Sequence, residues 1–274
     1  MGIIGIFFVP HGSIILDPSK NDVPDTIQLI HDKMVKIGEL IKELNPDICL
    51  VVTPHGISLS NDYGFYSNLK AEGTAEWENE YTEYSVKIDL DQKKMKDIFQ
   101  FLKKNNFPVS TITSYASTVN SPLRWGEVVP LWFLRRIILK YVIMSIPTRR
   151  YDQPRQMIPE LIKIGHYLSY YSAASNEKAI VIISGDLAHT HSKDGPYEFS
   201  EKAEQFDSLI ENWVKTGEKR ILIKDASEIL DQALCCGYTG LVLLQGILEK
   251  TNLKANFLIR AHPTYYGMLV ASFT

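Results

Sequence analysis

The chain has 274 residues, of which 45% are hydrophobic and 22% are charged, and its net charge is −3. This composition is typical of a globular domain with a large buried core, and the small negative charge argues against a general nucleic-acid-binding surface. No uninterrupted apolar run reaches the length of a membrane-spanning helix, so we expect no membrane span. Three cysteines give no disulfide framework, which favours a reducing, cytoplasmic location.

Apolar patterns predict strands that alternate with helices along the chain. Strands are predicted at 3–10, 47–53, 84–89, 109–115, 141–146, 178–184, 254–261 and 266–273. Helices are predicted at 24–44, 91–104, 157–173, 200–216 and 239–249, with a short helix opened by a capping box at 225–228. Between the second and third strands, residues 56–83 are expected to form a long irregular loop. The alternation predicts one α/β domain over residues 1–274, with a central, mostly buried sheet flanked by helices.

Three of the predicted strands are followed by a histidine. His11 follows IIGIFFVP, His55 follows DICLVVTP, and His189 follows AIVIISGDLA. In an open α/β sheet, ligands bind beyond the carboxyl ends of the strands, so imidazoles distant in sequence can meet there. Imidazole is both a common metal ligand and the side chain best suited to proton transfer near neutral pH.

His11 and His55 share a Pro-His-Gly motif. Proline stiffens the exit from the strand, and glycine is expected to let the backbone turn sharply. The repeat of this motif at equivalent positions favours a functional pair over the alternative, in which each imidazole only completes a turn.

Asp186 lies three residues before His189, directly after a predicted strand. If a helical turn follows, both side chains face the same side, and the carboxylate would fix the tautomer of the imidazole and raise its basicity. The alternative is a capping aspartate and a surface histidine. His191 is expected to point elsewhere.

Cys235 and Cys236 precede Gly237 and a predicted helix. A thiol near a helix N-terminus has a lowered pKa, and its thiolate is a metal ligand or a nucleophile. A pair of buried small thiols is equally consistent with the sequence. Cys49 lies inside a strand and is expected in the core.

Other charged groups are interpreted as surface. A basic group brackets the strand at 141–146 and is expected to be solvated; it consists of Arg135, Arg136, Lys140, Arg149, Arg150 and Arg155. His31 and His166 lie on predicted helices and are expected at the surface or satisfied in the core.

In chain order, these motifs resemble the class III extradiol dioxygenase (LigB-like) superfamily, and within it the Memo-like branch. The matching segments are Pro-His11-Gly-Ser, Thr-Pro-His55-Gly, Ser-Gly-Asp186-Leu-Ala-His189, Cys236-Gly-Tyr238 and the closing strand that begins at Tyr266. They span nearly the whole chain, and the resemblance implies a single α/β domain with a central sheet.

The resemblance also implies roles for individual residues. In the ring-cleaving members, two histidines and one glutamate hold ferrous iron, and the two histidines match His11 and His55. The family's acid/base histidine matches His189. Cys236 stands at the third ligand position, as in the Memo-like branch, where the dioxygenases have glutamate. Asp186 also follows the Memo-like form and joins His189 as a predicted catalytic residue.

Two departures from the dioxygenases bear on the chemistry. A thiolate from Cys236 softens the ligand set, which favours Zn(II) or copper, although it is also compatible with the Fe(II) that the family favours. Trp125 stands where the family usually has a pocket histidine, so a donor to bound oxygen or substrate is missing.

Three functions follow from this resemblance. The first is a non-haem metal-dependent oxidoreductase that acts with O₂ on an aromatic or chelating small molecule. The second is a Memo-like metal-binding redox protein without ring cleavage, and the third is a zinc-dependent hydrolase or lyase. All three predict that His11, His55 and Cys236 converge. The predicted partner is a small molecule, not nucleic acid or a membrane, and a homo-oligomer is compatible with the sequence.

Overall fold

The computed structural model describes residues 2–20 and 25–274. The strands are β1 (Gly2–Val9), β2 (Ile48–Thr53), β3 (Tyr63–Tyr66), β4 (Lys70–Thr74), β5 (Ser85–Asp89), β6 (Val109–Ile112), β7 (Ser121–Leu123), β8 (Lys140–Ser145), β9 (Lys178–Ser184), β10 (Ala255–Ala261) and β11 (Met268–Phe273). The helices are α1 (Asp25–Leu44), α2 (Gln92–Lys104), α3 (Trp125–Leu134), α4 (Ile158–Ala173), α5 (Lys202–Thr216), α6 (Leu230–Ala233) and α7 (Tyr238–Leu248).

The larger of the two sheets has eight strands in the order β10-β11-β1-β9-β2-β8-β3-β6. Its four central strands, β1, β9, β2 and β8, are parallel to one another. Their carboxyl ends therefore lie at one edge of the sheet, which is where ligands bind in α/β proteins. The other sheet is small and has the order β5-β4-β7.

The central strands are buried on both faces because helices cover the sheet from two sides. Along β2, Leu50 and Val52 join one core, whereas Cys49 and Val51 join the other. The first core includes residues of α2, α4, α5 and α7, and the second includes residues of α1 and α3. The predicted fold class, α/β with a central sheet flanked by helices, is confirmed, as is the burial of Cys49.

Helix α1 follows the predicted apolar spacing. Its buried side chains recur every three or four residues, at Ile27, Ile30, Met34, Ile37 and Ile41. The predicted first residue of this helix, at position 24, lies outside the described residues.

Two regions differ from the predicted pattern. The expected irregular loop at 56–83 contains β3 and β4, which are only 4 and 5 residues long and too short for a clear alternation. Helix α3 was not predicted; most of its side chains are buried, including Val128, Val129 and Leu131, so the segment has no apolar stripe.

The predicted helix ends are correct in part. Gly217 ends α5 in the left-handed conformation, with a φ of 71°. The capping box predicted at Asp225 is wrong, because Asp225 lies within a π-helical turn at Ile221–Ala226, and α6 begins only at Leu230.

Within the described residues, no helix is long and apolar enough to cross a membrane.

Candidate metal centre and pocket

Three adjacent parallel strands bring three predicted site residues to one edge of the sheet. His11 lies two residues beyond the end of β1, His55 two residues beyond β2, and Asp186 two residues beyond β9. Because β9 lies between β1 and β2, these side chains meet although up to 175 positions separate them in the chain.

Cys236 reaches the same point from the loop between α6 and α7. The ligand atoms of His11, His55 and Cys236 all lie within 4.8 Å of one another. The Cys236 Sγ atom is 3.4 Å from the His11 Nε2 atom. The two imidazole rings are nearly perpendicular, at 77°, with centroids 4.9 Å apart. The three predicted ligands therefore converge, while their role as ligands stays a prediction.

A serine at the end of β9 determines which nitrogen of His11 faces the cluster. The Ser184 hydroxyl donates to the Gly126 carbonyl at 2.5 Å and lies 2.9 Å from His11 Nδ1. Because the Ser184 hydroxyl donates its only proton to the Gly126 carbonyl, it accepts a hydrogen bond from the His11 Nδ1–H group. His11 Nε2 is then unprotonated and faces Cys236, the arrangement that metal-binding histidines adopt.

Asp186 contacts His11 and not His189. Its Oδ1 atom accepts from the His11 backbone N–H at 3.1 Å, and its Oδ2 atom is 3.3 Å from His11 Nε2. Burial raises the pKa of Asp186 to about 8. The expected pairing with His189 is wrong, because no helical turn follows β9 and the His189 ring turns to another partner.

His189 is a neutral base at the wall of the site. The Leu187 carbonyl lies 2.9 Å from His189 Nδ1, so Nδ1 carries the proton, and the Leu234 backbone also hydrogen-bonds the ring. The ring stacks on Tyr266 at a centroid distance of 5.7 Å. Burial lowers the pKa of His189 to about 4, so the imidazole is neutral near pH 7.

The two convergent imidazoles are held in the neutral form that suits cation binding, whereas the Cys236 thiol is protonated. Burial lowers the pKa of His55 to about 3 and that of His11 well below its usual value, so both rings are neutral. Burial raises the pKa of the Cys236 thiol, and the positive charge of Arg150 opposes this shift. A cation that binds here therefore displaces the thiol proton.

Two cavities lie around this cluster. The larger cavity, of about 500 Å³, is lined by His11, His55, His189 and aromatic side chains, and the smaller, of about 210 Å³, is lined by His55, His189 and Cys236. The aromatic residues of the larger cavity are Trp77, Tyr81, Trp125, Tyr151, Tyr197, Tyr265 and Tyr266. Its volume is within the range of small-molecule sites.

Trp125 forms an apolar wall beside the candidate ligands. Its ring centroid lies 5.5 Å from that of His55 at an angle of 31°, and Trp77 packs edge-on against it at 4.8 Å. Where the family usually has a histidine, this chain presents an indole surface suited to a flat, apolar group.

The glycines after His11 and His55 are needed for space and not for a sharp turn. Neither has a positive φ. A Cβ atom at Gly12 would lie 2.2 Å from the Tyr266 hydroxyl oxygen, and one at Gly56 would lie 2.2 Å from Glu127 Oε1. The expected conformational role is therefore wrong, and close packing at the rim is the reason for both glycines.

Sequence patterns missed the residues that hold the loop after His55. The Tyr66 hydroxyl accepts from the Ile57 backbone N–H at 2.6 Å and donates to Glu127 Oε1 at 2.9 Å. Glu127 Oε2 accepts from the Arg124 backbone N–H at 2.9 Å. Glu127 lies in the unpredicted helix α3, and no sequence signal linked it to His55.

The remaining histidines lie outside this cluster. His31 contacts the Ile15 carbonyl at 2.7 Å, and His166 contacts Glu249 at 2.7 Å, so both are satisfied as expected. His191 is 2.8 Å from buried Asp207 and stacks on His262.

Two further expectations concern Cys235 and Arg150. The Cys235 Sγ atom lies 3.3 Å from the Asp186 carbonyl and does not join the three ligand atoms. Arg150 was expected to be solvated, but only 7% of its surface is exposed, so that interpretation is wrong.

The chain is therefore an α/β protein whose doubly covered sheet has parallel central strands and two histidines at their carboxyl edge. The chain belongs to the LigB family: the family model for the catalytic LigB subunit of aromatic ring-opening dioxygenase matches residues 5–271. The predicted superfamily is confirmed, and assignment to its Memo-like branch stays a prediction.

One curated protein and one solved structure are similar to most of this chain. It is 23% identical to Protein CA_C1420 of Clostridium acetobutylicum over 273 residues, which cover 94% of this chain and 54% of that protein. The chain thus spans about half the length of this curated relative. It shares its fold with the crystal structure of uncharacterized protein JW3007 from Escherichia coli K12, at a TM-score of 0.62 and 14% identity, covering 98% of this chain and 99% of that one.

Proposed function

We propose that this protein is a metal-dependent oxidoreductase that acts with O₂ on an aromatic or chelating small molecule. The observation that carries the proposal is the convergence of His11, His55 and Cys236 within 4.8 Å, beside an aromatic-lined cavity of about 500 Å³. Membership of the LigB family supports the same class of chemistry.

The donor set fits a transition metal. Two neutral imidazoles and one thiol converge. The Ser184 hydroxyl lies 2.9 Å from His11 Nδ1, the ring nitrogen that faces away from Cys236, and so orients the His11 ring. When bound there, a metal supplies Lewis acidity and, if it is redox-active, electron exchange with O₂. Fe(II) is the metal that the family favours, and the Cys236 thiolate equally suits Zn(II) or copper.

The protein's own residues bind the substrate and move its proton. The indole rings of Trp125 and Trp77 pack against the aromatic ring of the substrate. His189 Nε2 accepts the proton of a substrate hydroxyl group and later returns it. Stacking on Tyr266 and the contact with the Leu187 carbonyl hold the His189 ring in place for this transfer.

Metal analysis and oxygen uptake test this proposal. Protein purified without oxygen is expected to hold one metal ion per chain, and the Fe(II)-loaded form is expected to consume O₂ with a panel of catechols. His11→Ala and Cys236→Ala are expected to lose the metal, whereas His189→Ala keeps it and loses at least 100-fold in rate, as removal of a general base does.

His166→Ala is the matched control, because His166 lies on α4 and pairs with Glu249 away from the cluster. It is expected to keep both metal and rate. Retention of metal in Cys236→Ala, or an unchanged rate in His189→Ala, would contradict the assigned roles.

The chemistry of Cys236 favours a second candidate function, a metal-binding redox protein without ring cleavage. A soft ligand retains copper or zinc tightly, and Trp125 gives the usual histidine position an indole, whose nitrogen cannot take up a proton. Tightly bound copper or iron without oxygen uptake on any catechol would favour this candidate. Bound zinc with hydrolytic activity that is lost in His189→Ala would instead favour a zinc-dependent hydrolase or lyase.

A further inference from the structure

Arg150 is a buried cation beside the candidate metal centre. Its exposed fraction is 7%, and it lines the smaller cavity together with His55, His189 and Cys236. Its neighbour Arg149 pairs with Glu160. Among the described residues, no carboxylate pairs with Arg150 in this way. Burial of a cation without a counter-charge is costly. The Cys236 thiolate supplies one only after the thiol loses its proton, so an anionic ligand is the remaining source of negative charge for Arg150.

The hydrogen bonds of Arg150 leave two donors unused. A guanidinium group carries five N–H donors. Nη1 lies 3.3 Å from the Ile146 carbonyl and 3.2 Å from the Pro147 carbonyl, and Nη2 lies 2.6 Å from the Tyr151 hydroxyl. Within the described residues Nε has no hydrogen-bond partner, and it is shielded from solvent, so a carboxylate pairs with it only if the Arg150 side chain shifts toward the cavity. One donor on Nε and one on Nη2 remain, and such a pair matches the two oxygens of a carboxylate.

We propose that Arg150 binds the carboxylate of a small organic acid in the smaller cavity. This inference rests on the proposed function, because it makes the substrate of that reaction an anion. The cavity has a volume of about 210 Å³ and opens onto the same histidines as the larger one. Asp231 also lines the smaller cavity, but it is paired with Arg155 at 2.8 Å, so its charge is compensated.

No arginine or lysine lines the larger cavity, and its two acidic side chains, Glu80 and Asp186, do not attract an anion, so Arg150 is the cation that a carboxylate would meet. The acid therefore extends between two regions: its aromatic part packs against Trp125, and its carboxylate points to Arg150. The two cavities are adjacent, because both are lined by His55, Tyr151, His189 and Tyr197.

Binding of benzoate and benzamide tests this inference without requiring turnover. The two probes have nearly the same shape and differ in charge. Affinities are measured by titration calorimetry on the protein as purified and again after saturation with Zn(II). We expect benzoate to bind more tightly than benzamide in both forms. In Arg150→Met and Arg150→Gln, benzoate affinity is expected to fall by roughly 10- to 100-fold, the usual effect of losing a charged hydrogen-bond partner.

Arg149→Met is the matched control, since it removes the adjacent positive charge, which pairs with Glu160 and does not line the cavity. It is expected to leave benzoate affinity unchanged. Arg150→Gln can still donate to the Ile146 and Pro147 carbonyls, so it provides the test if Arg150→Met does not fold. Circular dichroism verifies the fold of each variant.

Several outcomes would overturn the inference. These are equal affinities for benzoate and benzamide, equal benzoate affinity in the Arg150 and Arg149 variants, or tighter binding of inorganic phosphate than of benzoate. If Arg150→Gln weakens metal binding and leaves benzoate affinity unchanged, then Arg150 acts on the Cys236 thiolate and does not bind the carboxylate.

Failure of the proposed function gives a different result: benzoate still binds through Arg150, but no catechol is turned over. Turnover of neutral catechols with no preference for acids would contradict only the carboxylate site.

Discussion

Ser184 is the residue on which the orientation of His11 depends. Its hydroxyl donates to the Gly126 carbonyl and accepts from His11 Nδ1, which directs Nε2 toward Cys236. Partners of this kind determine the tautomer and orientation of a metal-binding histidine. The sequence contains Ser184 in the Ser-Gly-Asp motif, but its contact with a residue 173 positions away is visible only in the fold.

Ser184→Ala is expected to weaken metal binding by about 10- to 100-fold, as losses of such partners do. It leaves the His11 Nδ1–H group buried without an acceptor, which is also expected to lower the free energy of unfolding by about 1–3 kcal/mol. Competition with a chelator measures the first effect and urea unfolding the second. Ser172→Ala is the control, because the buried Ser172 hydroxyl has no hydrogen-bond partner in the described part of the chain. Equal metal affinity in both variants would show that Ser184 does not orient His11.

At the scale of elements, α3 connects the small sheet to the site. Glu127 in its first turn accepts from the Arg124 backbone N–H and, through Tyr66, holds the loop after His55. Burial raises the pKa of Glu127 to about 7. The raised pKa means that the folded protein binds this proton more tightly than the unfolded chain does.

The stability of the Glu127→Gln variant is therefore expected to depend on pH differently from that of the natural chain. As the pH rises from about 4.5 to about 7, Glu127 ionises in the unfolded chain but stays protonated in the fold, so the natural chain loses at most about 1.4 kcal/mol of stability per pH unit. The glutamine cannot ionise, so the variant gains stability relative to the natural chain over this interval. Urea unfolding of both proteins at pH 5 and pH 7.5 measures the change. A difference that stays constant between these pH values would contradict it.

At the scale of the whole molecule, the predicted ligands come from three distant parts of the chain. His11 follows β1, His55 follows β2, and Cys236 precedes α7. A metal that binds all three stabilises only the folded state, because the unfolded chain does not bring them together.

Zn(II) at about 100 times its dissociation constant is expected to raise the free energy of unfolding by about 2.7 kcal/mol, and a chelator is expected to reverse this gain. Differential scanning calorimetry measures both effects as shifts in Tm. Cys236→Ser is expected to lose most of the shift, whereas Cys235→Ala keeps it, because Cys235 does not belong to the three-residue cluster. The ligand set would be wrong if the two variants responded alike.

The sequence by itself determined the strands of the parallel sheet, the amphipathic helices and the candidate ligands. These are local patterns: continuous apolar runs make strands buried on both faces, and Pro-His-Gly motifs mark their ends. The resemblance to a family added Cys236, which no local pattern separates from a buried thiol.

Only the tertiary structure decided which partner each site residue has. Asp186 faces His11 and not the nearer-in-sequence His189, because the chain after β9 is not helical. Arg150 is buried although the sequence around it is basic, because it lines the smaller cavity together with residues from distant parts of the chain, including His55 and Cys236. Both outcomes depend on contacts between residues far apart in sequence, and composition and periodicity carry no information about such contacts.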